Sequence, residues 1–366
     1  MDIFVRGFFH INLGDDLFLY MLAKRYPQHK FHVILNSEYT SVFRDQDNII
    51  IHSYHKIRRA LDRILIKYGQ DFYTTIEKKC QLNVVIGGSI FQEGENDFGA
   101  YERLAQMPCL NPTYILGANF GPYTTEKYRL LVQDYLSLAK DVCFRDKWSQ
   151  EKFSELSNIR FAPDIVLGLN NIISFNKEVK KQVFISVIDY SRKPGVSEDK
   201  VTQYEQFILN CINYYSQLDY DVILSSFCKM EGDEEAIKRL RHKITNDINF
   251  SILNYTGDNW KELVNAIQNS MLVIASRFHA MILAGGARVP VFPIAYNKKF
   301  SQFLDDFNLS SYCISMEELV NKKPEKMDYF LFNNIEEISN NANKHFIKLD
   351  ELLLGDGCEN NERIYK

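Results

Sequence analysis

The 366-residue sequence has no long apolar run, no CxxC pair and no strong excess of either charge. No run approaches the roughly 20 apolar residues that a bilayer core requires, so no spanning helix is expected. The seven cysteines are scattered and odd in number. A disulfide framework and a zinc site both need paired spacings, so neither is expected, and a reducing compartment fits better. Lys and Arg total 43 against 47 Asp and Glu, a net charge of −4, which gives no bulk electrostatic case for nucleic acid. The opening MDIFVRGFF lacks the length and flanks of a secretory signal, so the cytoplasm is the expected location. There is no GxGxxG and no Walker lysine, which disfavours dinucleotide and P-loop sites. No repeat of solenoid period and no low-complexity segment occurs. Aromatic side chains are abundant, with 21 Tyr and 26 Phe, which suits bulky packing first and sugar contacts second.

What is present is an alternation. Short apolar runs at 2–8, 31–35, 48–52, 83–86, 113–116 and 142–144 read as strands. Helical patterns at 16–25 and 126–138 lie between them. The pattern restarts after about residue 170, with strands at 183–188, 222–225, 272–275 and 291–294 and helices at 202–216, 233–242 and 259–268. Such alternation implies βα units around parallel sheets. The expectation is α/β, with two Rossmann-like doubly wound domains facing a cleft, residues 1–170 and 171–330. A C-terminal helix over 334–353 and a polar tail complete residues 331–366. In open α/β sheets ligands bind at the carboxyl ends of strands, so the loops after strands are the place to look for chemistry.

Six such loops stand out. The first, after the first strand, contains Asn12, Gly14, Asp15 and Asp16; Gly14 permits a tight turn and Asp15 is placed to cap the next helix. Asn12 and Asp16 are less needed by a capped turn and are the better functional candidates. Gly87, Gly88 and Ser89 follow a buried strand, where backbone N–H groups approach an anion or a sugar closely. A third turn carries Asn119 between Gly117 and Gly121. Arg145 ends another strand and is suited to clamp a carboxylate or phosphate. Asp146 is either the N-cap of the next helix or the partner of Arg145. Asp164 either approaches the cleft floor or fixes the hinge.

The sixth loop, SRFHAMILAGG at 276–286, is the most informative. It places a cation and an imidazole between two buried strands, at a helix start. Ser276 reads as the N-cap, Arg277 as the first and His279 as the third helical residue. An anion there would meet the positive helix end and Arg277 together. Beside a bound phosphate, His279 suits proton transfer. Downstream, Tyr296 and Lys299 follow the next strand, and Lys299 offers a second cation to the same pocket.

These loops, in this order, resemble the polysaccharide pyruvyl transferase family. The residues that match are Asn12, Gly14, Asp15, Gly87, Gly88, Gly117, Gly121, Pro122, Arg145, Asp146, Ser149, Pro163 and Asp164. Arg277-Phe278-His279-Ala280, Tyr296 and Lys299 complete the set. Two positions depart: Ser89 stands where a third glycine is common, and Asp16 where Glu is common. The resemblance implies a fold like the B-type glycosyltransferases, with the acceptor on the N-terminal side and the donor on the C-terminal side. It implies transfer of a pyruvyl group from phosphoenolpyruvate onto two hydroxyls of one sugar, in a cell-surface glycan or its lipid-linked precursor. In that scheme Arg277, Ser276 and Lys299 hold the phosphate and Arg145 the carboxylate, or the reverse. His279 moves the proton, with Asp16 or Asp146 as its partner. Asn12, Gly14, Asp15, Gly87, Gly88, Ser89, Asn119, Asp164 and Tyr296 line the acceptor or loop side. Phosphoenolpyruvate is a substrate, no cofactor is called for, and nothing in the chemistry demands a metal. A lipid-linked acceptor would bring the protein to the inner face of the membrane, although no polybasic amphipathic helix stands out in the sequence beyond a weak Lys/Arg run at 56–63. A nucleotide-sugar glycosyltransferase on the same architecture, and an inactive glycan-binding relative, are the alternatives.

Overall fold

A computed structural model describes residues 1–40, 42–65, 68, 70–94, 110–173, 177–245 and 248–355. The polar tail expected beyond residue 355 lies outside them. The chain divides into two compact units. The first takes in Met1–His10, Asp15–Ile165 and the C-terminal segment from Asn340; the second takes in Ile11–Gly14 and Val166–Ser339.

The first unit is built on seven strands: β1 Asp2–Arg6, β2 Lys30–Asn36, β3 Ile49–Tyr54, β4 Leu82–Ile86, β5 Thr113–Ala118, β6 Asp141–Phe144 and β7 Ile159–Phe161. They lie in the order β3-β2-β1-β4-β5-β6-β7, every neighbour parallel. The second unit holds β8 Gln182–Ser186, β9 Asp221–Ser225, β10 Phe250–Ile252, β11 Leu272–Ala275, β12 Val291–Ala295 and β13 Ile314–Ser315. Their order is β10-β9-β8-β11-β12-β13, again all parallel. Both are the doubly wound order in which the chain reverses direction across the sheet, between β1 and β4 and between β8 and β11.

Burial follows from that order. The strands β4, β6, β8 and β11 are buried along their whole length, as sheets covered on both faces require. In the first unit Ile115, Ala118, Phe120, Val142, Phe144 and Phe153 share one core. In the second, Val183, Ile185, Phe207, Leu224, Ile274 and Phe292 do.

The structure differs from the sequence expectation at its edges. The strands β7, β10 and β13 were not expected; each is short, ends its sheet and is only partly buried, so it carries no continuous apolar run. The chain passes from the first unit to the second at Ile165/Val166 rather than near residue 170, and the last segment returns to the first unit instead of standing alone. Arg25 binds Asp350 through two hydrogen bonds of 2.8 and 2.6 Å, and the Tyr26 hydroxyl donates to the same carboxylate at 2.8 Å. The expected single helix over 334–353 is Ile335–Ala342 and Ile347–Leu353, joined by a 3-10 turn. Among the described residues, no helix is long and apolar enough to cross a membrane.

Candidate active site

In the first unit the expected residues meet at the carboxyl ends of β4, β5, β6 and β7. The helix after β1 spans Leu13–Arg25, so it begins before Asp15. Asp15 is therefore not its cap: it lies inside the first turn, and its Oδ1 accepts the Gly88 N–H at 3.3 Å. The Gly88 amide thus faces a carboxylate of its own chain. Asp16, in the same turn, is 2% exposed. Arg145, also 2% exposed, donates to Asp164 at 3.0 Å and to Asn119 Oδ1 at 2.6 Å, and Ser89 donates to that same Asn119 oxygen at 3.1 Å. Asp164 is fully buried. Arg145 thus ties three loops together around a carboxylate the chain itself provides. Of the two readings of Asp146, the cap is the one seen: it accepts the Ser149 N–H at 2.7 Å at the start of the helix Lys147–Glu151. Burial pushes its pKa up.

Gly88 is required by a close approach. A β-carbon there would overlap the Arg145 guanidinium, 2.7 Å from its Cζ. That guanidinium is held by its bonds to Asp164 and Asn119, so withdrawing it would strain or break them. Gly88→Ala is expected to lose about 1–3 kcal/mol through overpacking, read as a lower denaturant midpoint at unchanged slope.

In the second unit the expected residues gather after β11 and β12. The helix there is Phe278–Gly286, with Arg277 at the N-cap, so the start lies one residue later than the sequence suggests. Ser276 is fully buried and is not the cap; its hydroxyl accepts from Tyr204 at 3.0 Å. The Ser186 hydroxyl, at the end of β8, accepts both the Ser276 and Arg277 N–H groups at 3.0 and 3.1 Å. That bond holds the chain extended for one more residue before it turns helical. His279 follows at the second helical position and is half-buried. Its ring packs against Gly14, where a β-carbon would overlap it. Gly14 lies within the helix Leu13–Arg25 and is needed for this approach rather than for a turn. Asn12 bridges to Cys228 in the same unit.

Arg277 is 6% exposed and doubly engaged. Its Nε donates to Asp233 at 2.9 Å, its Nη2 donates to the other oxygen of that carboxylate, and its Nη1 donates to Glu231 at 2.9 Å. Asp233 is fully buried and also accepts the Phe227 and Cys228 N–H groups, each at 3.0 Å. Lys193, in the loop after β8, donates to Glu231 at 2.9 Å. Its ammonium lies 4.7 Å from the Tyr296 ring centre, and that of Lys299 lies 5.2 Å from the same ring. Burial opposes the Glu231 charge, but Arg277 and Lys193 overcome it and hold the carboxyl at about 2. Burial likewise opposes ionisation of Tyr296, and Lys299, Arg277 and Lys193 outweigh it, leaving its pKa below that of an ordinary phenol. Three cations thus converge on two carboxylates and a tyrosine, at the carboxyl ends of β8, β9, β11 and β12. That is the switch point of the second sheet, where doubly wound folds bind ligands.

Sequence reasoning missed Lys193, Glu231 and Asp233. The two acids read only as favourable charges near the start of the helix Asp233–Lys243. Lys193 sits in a loop whose approach to β11 depends on the strand order. Among the described residues, no three His, Cys, Asp or Glu side chains gather as a metal site.

The family model of the polysaccharide pyruvyl transferases matches residues 12–298, which takes in all these loops up to Lys298. The chain belongs to that family. It is a transferase family, and the matched stretch ends at residue 298. No curated protein matches the chain. Solved structures similar to this family member include the UDP-GlcNAc 2-epimerase of Neisseria meningitidis bound to UDP-GlcNAc, at 12% identity and TM-score 0.59, covering 97% of this chain and 100% of that one. The Methanocaldococcus jannaschii UDP-GlcNAc 2-epimerase, in complex with UDP-GlcNAc and UDP, is 12% identical at TM-score 0.56, covering 93% and 98%. Anabaena HepE, in complex with UDP and glucose, is 11% identical at TM-score 0.53, covering 96% and 98%. At such identities the likeness shows the fold alone: two parallel-sheet α/β domains of the B-type glycosyltransferase kind.

Proposed function

We propose that the protein moves the pyruvyl group of phosphoenolpyruvate onto two hydroxyls of one sugar, in a cell-surface glycan or its lipid-linked precursor. The products are a cyclic ketal and inorganic phosphate. One observation supports the donor assignment above the others: at the β8/β11 switch point Arg277 and Lys193 already grip a carboxylate, that of Glu231, with Lys299 beside them over the Tyr296 ring. An anionic donor would take the place of the Glu231 carboxylate on Arg277 Nη1 and Lys193, and Lys299 would add the third cation. Arg277 keeps its two bonds to Asp233 throughout, so it is held rigid while it binds.

The reaction then needs little from the protein besides charge and proton transfer. A sugar hydroxyl oxygen bonds to the central carbon of the donor, while the methylene carbon takes up a proton and becomes methyl. The hydroxyl proton passes to a base. The bond from the central carbon to the phosphate oxygen breaks, and its electron pair leaves with the phosphate. The second hydroxyl bonds to the same carbon and loses its proton, which closes the ring. Cations around the leaving phosphate stabilise the charge that develops on it. His279, next to Arg277 on the same helix start, is assigned the proton transfer. The reaction consumes no cofactor beyond the donor itself.

A nucleotide-sugar-dependent transferase is the second reading. The similar structures described above hold UDP or UDP-GlcNAc, and a diphosphate suits the same cations. Incubation with phosphoenolpyruvate and a crude lipid-linked glycan fraction separates the two. The proposal expects release of phosphate and a glycan heavier by one pyruvate less one water. Sugar transfer from a nucleotide donor, with phosphoenolpyruvate untouched, would favour the second reading.

A further inference from the structure

The helix Lys56–Leu65, which follows the edge strand β3, is turned inside out relative to an ordinary surface helix. Its buried residue is an acid: Asp62 is 7% exposed. The Asp62 carboxylate accepts from the Tyr54 hydroxyl at 2.8 Å and from the Phe72 N–H at 3.2 Å, and it pairs with Arg58 at 3.2 Å. The Arg58 guanidinium lies over the Phe72 ring, 5.1 Å from its centre. This polar side anchors the helix to its unit. The opposite side is apolar and faces outward. Ile57 is 79% exposed, Leu61 48% and Ile64 63%, with Ala60 exposed between them. Positions 57, 60, 61 and 64 fall on one stripe at helical spacing. Tyr68, just beyond the helix, is 71% exposed.

Charge decides what such a stripe fits. The helix carries Lys56, Arg58, Arg59 and Arg63 against the single acid Asp62, in a chain whose net charge is −4. Lys56, Arg59 and Arg63 are exposed and lie on one flank of the stripe. Two copies meeting through this face would bring like charges together, which opposes self-association. An apolar stripe flanked by exposed cations fits a surface that is apolar beneath and anionic on top. We infer that the helix Lys56–Leu65 is a docking element for an anionic lipid bilayer, with Ile57, Leu61 and Ile64 entering the headgroup boundary and Lys56 and Arg63 meeting lipid phosphates. The inference concerns a surface of the first unit and does not rest on the donor assigned above. It would hold the enzyme where a lipid-linked acceptor is found.

The test is sedimentation of the full-length protein with vesicles of phosphatidylglycerol and phosphatidylcholine, against phosphatidylcholine alone. The protein is expected to sediment with the anionic vesicles and to stay in solution with the neutral ones, with binding that weakens as salt rises. Lys56→Glu/Arg63→Glu is expected to bind roughly tenfold more weakly or worse. Ile57→Ser/Leu61→Ser/Ile64→Ser is expected to lose binding while keeping the wild-type thermal midpoint, because all three side chains are exposed. Failure of the wild type to bind anionic vesicles overturns the inference, as does undiminished, wild-type binding by both variants. Self-association, or capture by an acidic protein, that the triple variant abolishes while vesicle binding stays at background would also overturn it and assign the stripe to a protein partner.

Discussion

Arg277→Ala is expected to destabilise the protein by about 3–5 kcal/mol, because it strands a buried carboxylate. Asp233 is fully buried and faces the guanidinium with both oxygens; the Phe227 and Cys228 N–H groups alone would remain on it. Glu231 would lose one of its two cations and keep Lys193. The loss reads out as a lower denaturant midpoint. Removing both ends of the pair is the control. Asp233→Ala in the Arg277→Ala background should recover part of the stability, because no charge is then left buried alone. If Arg277→Ala were as stable as the wild type, the pairing would not matter to the fold. Weak donor binding in that variant therefore has to be read beside its stability. Lys299 offers the cleaner probe of the donor, since its half-buried ammonium rests against the Tyr296 and Phe278 rings.

His279→Ala should lower kcat by about 100-fold or more, the usual contribution of a positioned acid or base. Affinity for the donor should change much less, because the cations that would hold it remain. The ring is half-buried, so the fold should survive its loss. Single-turnover rates separate chemistry from binding here. Wild-type turnover in His279→Ala would remove His279 from the proton-transfer role. A raised KM at unchanged kcat would make it a binding residue instead.

The fold was legible wherever strands are buried on both faces. The runs at β4, β6, β8 and β11 announce themselves because a doubly covered strand must be apolar along its whole length. The edge strands β7, β10 and β13 contact one neighbour each and lack that signature. The candidate site was legible as residue types at strand ends, and less so as pairings. The sequence places Arg145 and Arg277 as cations at strand-end loops, and the structure buries both. Their carboxylates, Asp164 and Asp233, could not be matched to them, since each comes from another strand's loop and only the strand order brings it near. Capping showed the same limit. Ser276 has the right chemistry for an N-cap, but Ser186 on the neighbouring strand takes the amides and moves the helix start by one residue. The sequence reads Gly14 as a turn glycine and Gly88 as opening backbone N–H groups to an anion or sugar, whereas the structure uses both to let a side chain of its own chain, His279 or Arg145, approach the backbone.

On the proposed reading, phosphoenolpyruvate is the donor and the cations at the β8/β11 switch point bind it. Thermal unfolding of the purified protein, titrated with phosphoenolpyruvate and separately with UDP-, GDP- and CMP-sugars, tests it most directly. A ligand that binds only the folded protein adds about 2.7 kcal/mol at about 100 times its Kd, so the midpoint rises with concentration. With phosphoenolpyruvate as donor the midpoint rises with phosphoenolpyruvate, not with the nucleotide sugars, and the rise is strongly reduced in Lys299→Ala. A rise with a nucleotide sugar and none with phosphoenolpyruvate would contradict that reading.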